Sequence, residues 1–168
     1  MEKMKPIDYK ILWELIKNSR RSDRELAKTL GVSQPTVTRR RGQIEKYAIE
    51  GYTAIPKWGE IGFELCAFTF VKLKSKHVEP IERNESRKIC REWLMNQPNV
   101  VFAGGGQGMG WDDLVISFHK SYSDFANFIR RHDSELSEFV SESQSFIIDL
   151  NPGDILKSLH FKYLADTK

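Results

Sequence analysis

The chain has 168 residues, 40% hydrophobic and 29% charged, which allows one ordinary domain or two small ones and excludes a disordered chain. No apolar run approaches the roughly 18 residues that span a bilayer, and Met1–Lys10 is too polar for a secretion signal. Two cysteines, Cys66 and Cys90, build neither a disulfide framework nor a metal ribbon, so the expected compartment is the cytoplasm and no cofactor is implied. The net charge of +3 is unevenly held: residues 1–55 carry 12 Lys/Arg against 7 Asp/Glu, the remainder 14 against 16. A basic module joined to a near-neutral one points to nucleic acid as partner, although a basic segment is also what a merely solvated face looks like.

Ile7, Ile11, Leu12, Leu15 and Ile16 recur at helical spacing, so Ile7–Asn18 reads as an amphipathic helix. Ser22-Asp23-Arg24-Glu25 is a capping box that opens a second helix with Leu26, Ala27 and Leu30 inside, and Gly31 suits the left-handed conformation that ends it. Ser33 is the expected N-cap of a third helix, with Pro35 in its first turn and Val37 and Ile44 on its buried side. Two helices joined by a short turn containing glycine form a helix-turn-helix. With Val37 inward, Pro35, Thr36, Thr38, Arg39, Gly42, Gln43 and Lys46 lie on outward or flanking arcs, and Gln34 exposes its end from the first turn. Hydroxyl, amide and guanidinium groups on such a helix suit base edges in a major groove: Thr36, Thr38, Arg39 and Gln43, with Gln34 beside them. Ser33, Arg20, Arg21, Arg40 and Lys46 are the expected phosphate contacts. The bland alternative is that Arg39-Arg40-Arg41 is only a solvated basic strip.

Farther along, Leu65–Lys74 reads as a strand, Pro80–Asn96 as a helix closed by Pro98, and Val100–Ala103 and Leu114–Phe118 as two strands. Ser123–Val140 is a second amphipathic helix, and Phe146–Leu150 is a strand broken by Pro152-Gly153. The order β-α-β-β-α-β is that of the ferredoxin-like split unit. The expected fold is therefore α+β: a helix-turn-helix domain over residues 1–50 and a ferredoxin-like βαββαβ domain with an antiparallel sheet over 63–168. Helices on one face leave the other face needing cover, which favours a homodimer.

Five of the eleven glycines fall in the stretch Gly104-Gly105-Gly106-Gln107-Gly108-Met109-Gly110-Trp111-Asp112-Asp113, which fits no phosphate-loop pattern and reads most simply as a flexible hairpin connection. His77, His119, His132 and His160 have no metal-ligand spacing, and no nucleophile elbow or acid–base constellation points to an enzyme. Cys66 and Cys90 suit buried, inert thiols, Trp13 and Trp93 suit the core, and Trp58 and Trp111, in connecting regions, suit interfaces.

Glu25-Leu26-Ala27-Lys28-Thr29-Leu30-Gly31-Val32-Ser33 resembles the E-L-A-x-x-L-G-x-S signature of the Lrp/AsnC (feast/famine) transcriptional regulators. Val37, Arg40, Ile44 and Glu45 fall on that family's V-x-x-R-x-x-x-L-E pattern, Ala48–Ile55 resembles its linker strand, and Gly62 stands where its Leu-Gly ends the linker. The resemblance implies a winged helix-turn-helix joined by a linker strand over 51–62 to the sheet domain, in a DNA-binding regulator that assembles by sheet-to-sheet pairing into dimers, and from these into tetramers or octamers. It also implies an amino-acid effector beside a G-x-x-D motif, matched by Gly110 and Asp113, with Gly108, Trp111 and Asp112 as its neighbours. Arg41 departs from the family, which is usually apolar there: either its stem carries the charge outward, or the helix frays beyond Gly42. Two other readings fit the residues: a ligand-independent architectural DNA-binding protein, and a small-molecule-binding ferredoxin-like domain without DNA function.

Overall fold

The computed structural model describes residues 4–74, 80–106, 108–151, 153 and 155–166. His77, Gln107 and Pro152 lie outside the described residues, as do Met1–Lys3. The chain divides into two compact units, Met1–Ile55 with Lys157–Lys168 and Pro56–Leu156. The sequence-based division kept the C-terminal tail with the second domain. The tail joins the first unit because its 3-10 turn, Phe161–Asp166, packs on the first helix and buries Ala165.

In the first unit, α1 (Pro6–Lys17) starts on a proline whose missing N–H costs little in a first turn, and Asp8 accepts from the Lys5 N–H at 2.7 Å. The Ser22–Glu25 capping box is formed in both directions ahead of α2 (Asp23–Leu30). Gly31 ends α2 at φ 67°, where a side chain would be strained. Ser33 then caps α3 (Gln34–Tyr47), accepting from Thr36 N–H. Ile11, Leu15, Leu26, Ala27, Val37 and Ile44 form one core, flanked by Ile7, Leu12, Leu30, Val32 and Ile49. Residues 51–57 carry no strand and Trp58–Ile61 is a 3-10 turn, so the expected linker strand and wing are not formed. A strand needs a ladder partner, and this segment has none among the described residues.

The second unit is a four-stranded antiparallel sheet in the order β2-β3-β1-β4, built from β1 (Leu65–Leu73), β2 (Val100–Gly105), β3 (Asp113–His119) and β4 (Val140–Asp149). The helices α4 (Pro80–Met95) and α5 (Tyr122–Glu135) complete the βαββαβ order. Beneath the helices lie Ala67, Thr69 and Val71 of β1 with Val115, Ser117 and His119 of β3, all buried. Two hydroxyl-centred bonds satisfy polar groups there: Thr69 to Ser145 and Ser117 to His119 Nε2, each 2.8 Å. Val71, Val115, Leu136 and Val140 form the core between sheet and helices.

The opposite face carries an apolar row set by register: Phe102 opposite Ile116, Ile116 opposite Phe68, and Phe68 opposite Phe146. Its two ends are open, Phe102 being 53% and Phe146 65% exposed. Trp58 covers one edge of this face by stacking on Phe118, with ring centroids 4.1 Å apart. The second helix stops at Glu135 rather than the expected Val140, and the last strand begins at Val140 rather than Phe146. The N–H groups of Phe139 and Val140 both turn back to the Leu136 carbonyl, and after a bulge at Ser141 the residues Glu142–Ser145 pair with β1. An edge strand so rich in serine shows little apolar alternation.

Candidate nucleic-acid interface

The inner side of α3 is closed by Val37, Arg40 and Ile44, and its outer side exposes Gln34, Pro35, Thr38, Arg39, Glu45 and Lys46, with Ser33 at its cap. Thr36 and Gln43 are half-buried. The helix runs unbroken through Gly42 to Tyr47, so it does not fray. Arg39 and Lys46 make no ion pair among the described residues, and neither does the exposed Arg20. Of the cations expected to contact DNA, these three are the ones left for phosphates or base edges.

Two expected contacts are otherwise engaged. Arg40 is 7% exposed, one turn beyond Val37 and one before Ile44, and its guanidinium lies 3.7 Å from the buried carboxylate of Asp8. It also donates to Gln43 Oε1 at 3.2 Å. Arg40 thus belongs to the interior and cannot hold a phosphate as the sequence reading expected. Arg21 is half-buried and bonded to Glu14 and to the Thr29 hydroxyl, which ties α1 to α2.

Arg41, the residue that departs from the family pattern, anchors a network that sequence reasoning missed. Its guanidinium donates to Glu45 Oε1 at 2.9 Å, to Asp23 Oδ1 at 3.2 Å and to the Arg21 carbonyl at 3.2 Å, and it lies 5.5 Å from the centre of the Tyr52 ring. Burial works against this charge, but the bonds with Glu45, Tyr52 and Asp23 outweigh it and hold the guanidinium protonated beyond its ordinary range. Glu45 is pushed below its ordinary value by Arg41 first and by the Tyr52 hydroxyl, which donates to it at 2.8 Å. Asp23 also accepts from the Thr38 hydroxyl at 2.6 Å. The available signal was the charge of Arg41 at a core-side wheel position, but its partners lie up to 20 residues away.

In the second unit, the glycine-rich stretch turns through Gly108, Met109 and Gly110, all at positive φ. Asp112 is not free for a ligand in the way expected: its carboxylate accepts from the Leu73 N–H at 2.9 Å, and its own N–H donates to the Val71 carbonyl at 3.0 Å. It fastens the loop to the end of β1. Trp111 is half-buried, 6.2 Å from the Phe70 ring. Asp113 borders a cleft of about 720 Å³ between α4 and the β2–β3 pair, with Arg87, Cys90, Arg91, Leu94 and Val115 also on its walls. A Cβ on Gly105 would stand 3.2 Å from Asp113 Oδ1, so glycine there leaves the carboxylate room. Burial raises the Asp113 carboxyl above its ordinary value, against the pull of Arg87. Gly108 and Gly110 are exposed and do not line this cleft. Burial pushes the Cys66 thiol up to about 11 and also raises Cys90, which keeps both protonated. No group of three or more His, Cys, Asp or Glu that could hold a metal occurs among the described residues, and none of their helices is long and apolar enough to cross a membrane.

Residues 4–43 match the AsnC-type helix-turn-helix domain. A helix-turn-helix transcriptional regulator of Pyrococcus horikoshii is 35% identical over 128 residues, 74% of this chain and 78% of that protein. The leucine-responsive regulatory protein of Rhizobium meliloti is 38% identical over 96 residues, 54% of this chain and 62% of that protein. A transcriptional regulator of Neisseria meningitidis, solved as a complex with L-Met, superposes with a TM-score of 0.74 over 96% of this chain and 99% of its own, at 24% identity. On the matched helix-turn-helix domain and these relatives, the chain belongs to the Lrp/AsnC family of transcriptional regulators.

Proposed function

We propose that this regulator acts in the cytoplasm as a homodimer or higher assembly that inserts α3 into the major groove of double-stranded DNA. The observation that carries the reading is the division of α3: Val37, Arg40 and Ile44 close its inner side, while Arg39 and Lys46 stand unpaired on its outer side. Thr36, Thr38, Arg39 and Gln43 face base edges, with Gln34 beside them, while Ser33, Arg20 and Lys46 hold phosphates. Two-fold pairing rests on the open apolar row Phe102–Ile116–Phe68–Phe146, which water covers poorly.

The second part of the proposal is an amino-acid effector at Asp113. A carboxylate suits a ligand ammonium and the guanidinium groups of Arg87 and Arg91 suit a ligand carboxylate, with Gly108, Gly110 and Trp111 forming the neighbouring loop. The L-Met complex of the Neisseria meningitidis relative supports that ligand class.

The test is selection from random-sequence duplexes, with and without a pool of amino acids, followed by gel shifts with Arg39→Ala. A selected sequence that the variant binds about 1–3 kcal/mol more weakly supports the reading. Binding that is weakly sequence-selective, indifferent to amino acids and steeply salt-dependent supports an architectural protein instead.

A further inference from the structure

A threonine hydroxyl ordinarily carries no sign in base recognition, because it donates or accepts as required. Thr38 is different. Its single hydroxyl proton points to Asp23, with Oγ1 2.6 Å from Oδ2, and a carboxylate oxygen can only accept. The other oxygen of Asp23 accepts from Arg41 Nη1 at 3.2 Å, and Arg41 is held in turn by Glu45 and by the Arg21 carbonyl. Asp23 therefore cannot turn away from Thr38 without breaking an ion pair that joins α2 to α3. What the exposed Thr38 shows to the outside is a lone pair beside a carboxylate, with no proton to donate.

We infer that Thr38 and Asp23 form an acceptor-only subsite that admits the exocyclic amino group of adenine or cytosine and refuses guanine and thymine. The inference rests on the reading of α3 as the groove helix and specifies one position of the site it binds. In the major groove the amino groups of adenine and cytosine are donors, whereas guanine offers N7 and O6 and thymine offers O4, all acceptors. An acceptor brought against an acceptor loses its water and gains no bond, so the discrimination comes from exclusion as much as from attraction. Asp23 thereby becomes a specificity-determining residue without itself reaching a base. The Arg41 network is what keeps it aimed.

The experiment compares sequences selected from random duplexes by the full-length protein and by Thr38→Val, Thr38→Ser and Asp23→Asn, with thermal melting to check that each is folded. The position read by Thr38 is the one whose preference changes in Thr38→Val, a variant that leaves the Asp23–Arg41 pair intact. There the parent should choose adenine or cytosine, with guanine depleted on the order of tenfold. Thr38→Ser should keep that choice, and Asp23→Asn, whose amide can itself donate to Oγ1 and release the hydroxyl proton, should admit guanine and thymine. A guanine or thymine preference at that position in the parent overturns the inference, as does an unchanged selection in Thr38→Val or in Asp23→Asn. Failure of the parent to select any sequence overturns the groove-helix reading itself and takes this inference with it.

Discussion

In the first unit one apolar core packs the three helices together and the outer side of the helix pair is organised by charge, with Asp23, Arg41, Glu45 and Tyr52 linked across α2, α3 and the segment that follows. The second unit also has an apolar core, but its sheet carries polar groups on the covered face and aromatic ones on the open face. Thr69, Ser117 and His119 are buried beneath the helices, while Phe102 and Phe146 stand exposed on the far side of the sheet. The difference separates two tasks. The first unit closes its core within one chain and leaves cations outward, as a surface for a polyanion requires. The second unit satisfies its buried polar groups internally and leaves an apolar face open, the face on which the proposed pairing rests.

The sharpest break of this contrast comes from adjacent arginines. Arg40→Ala removes the partner of a buried carboxylate: Asp8 is 1% exposed, and its Oδ1 has no hydrogen bond among the described residues. Denaturant unfolding should report a loss of about 3–5 kcal/mol. Arg39→Ala, on the exposed side, should stay within about 0.5 kcal/mol of the parent in the same assay, its effect falling on DNA affinity. Equal stability losses would mean that the two sides of α3 are not distinct.

Next in size is a charge on the open sheet face. Phe146→Asp should weaken self-association by about 2 kcal/mol or more, read as dissociation into monomers by sedimentation or light scattering. Phe146 is 65% exposed within one chain, so monomer stability should change little. A variant that remains as associated as the parent places the dimer contact elsewhere. Smaller is the effect of Gly31→Ala, which forces an L side chain into φ 67° although nothing lies within 4 Å of the new methyl. Its cost, about 1–2 kcal/mol, should then be purely conformational and confined to the first unit.

These residues also show how far the sequence could be read. The turn at Gly31 and the capping box at Ser22 are local devices whose signal is complete within a few residues, and both stand where the pattern puts them. Arg40 lay on the same helical side as Val37 and Ile44, but only the distant Asp8 makes that position habitable for an arginine, so it read as one more surface cation. Arg41 stood out by its core-side position, but Asp23, the carboxylate that anchors it, is likewise distant in sequence. The amino half of β4 was illegible because an edge strand of serines and glutamates is specified by its pairing with β1 rather than by alternation. The cleft went unread because Arg87 and Arg91 meet Asp113 only through the fold.

The least of the expected effects separates the two units by pH. His119 is fully buried, its ring at a steep angle to Phe125, with Ser117 Oγ 2.8 Å from Nε2 and Asn99 Nδ2 3.5 Å from Nδ1. Burial holds its pKa below the ordinary value, and Asp124, 3.8 Å away and exposed, only partly opposes this. The unfolded chain therefore takes up a proton at a pH where the folded one still resists it. Stability is fully present above the unfolded value of about 6.5 and is lost as pH falls from there toward the depressed folded value, by at most about 1.4 kcal/mol per pH unit from one proton. The loss belongs to the second unit, because the first unit's core holds no histidine. Melting of the parent and of His119→Gln between pH 7.5 and 5.5 checks it: the parent should lose stability on acidification and the variant, less stable throughout, should lose distinctly less. Parallel losses in the two proteins would move the titrating group away from His119, and the pH contrast between the units would then need a different origin.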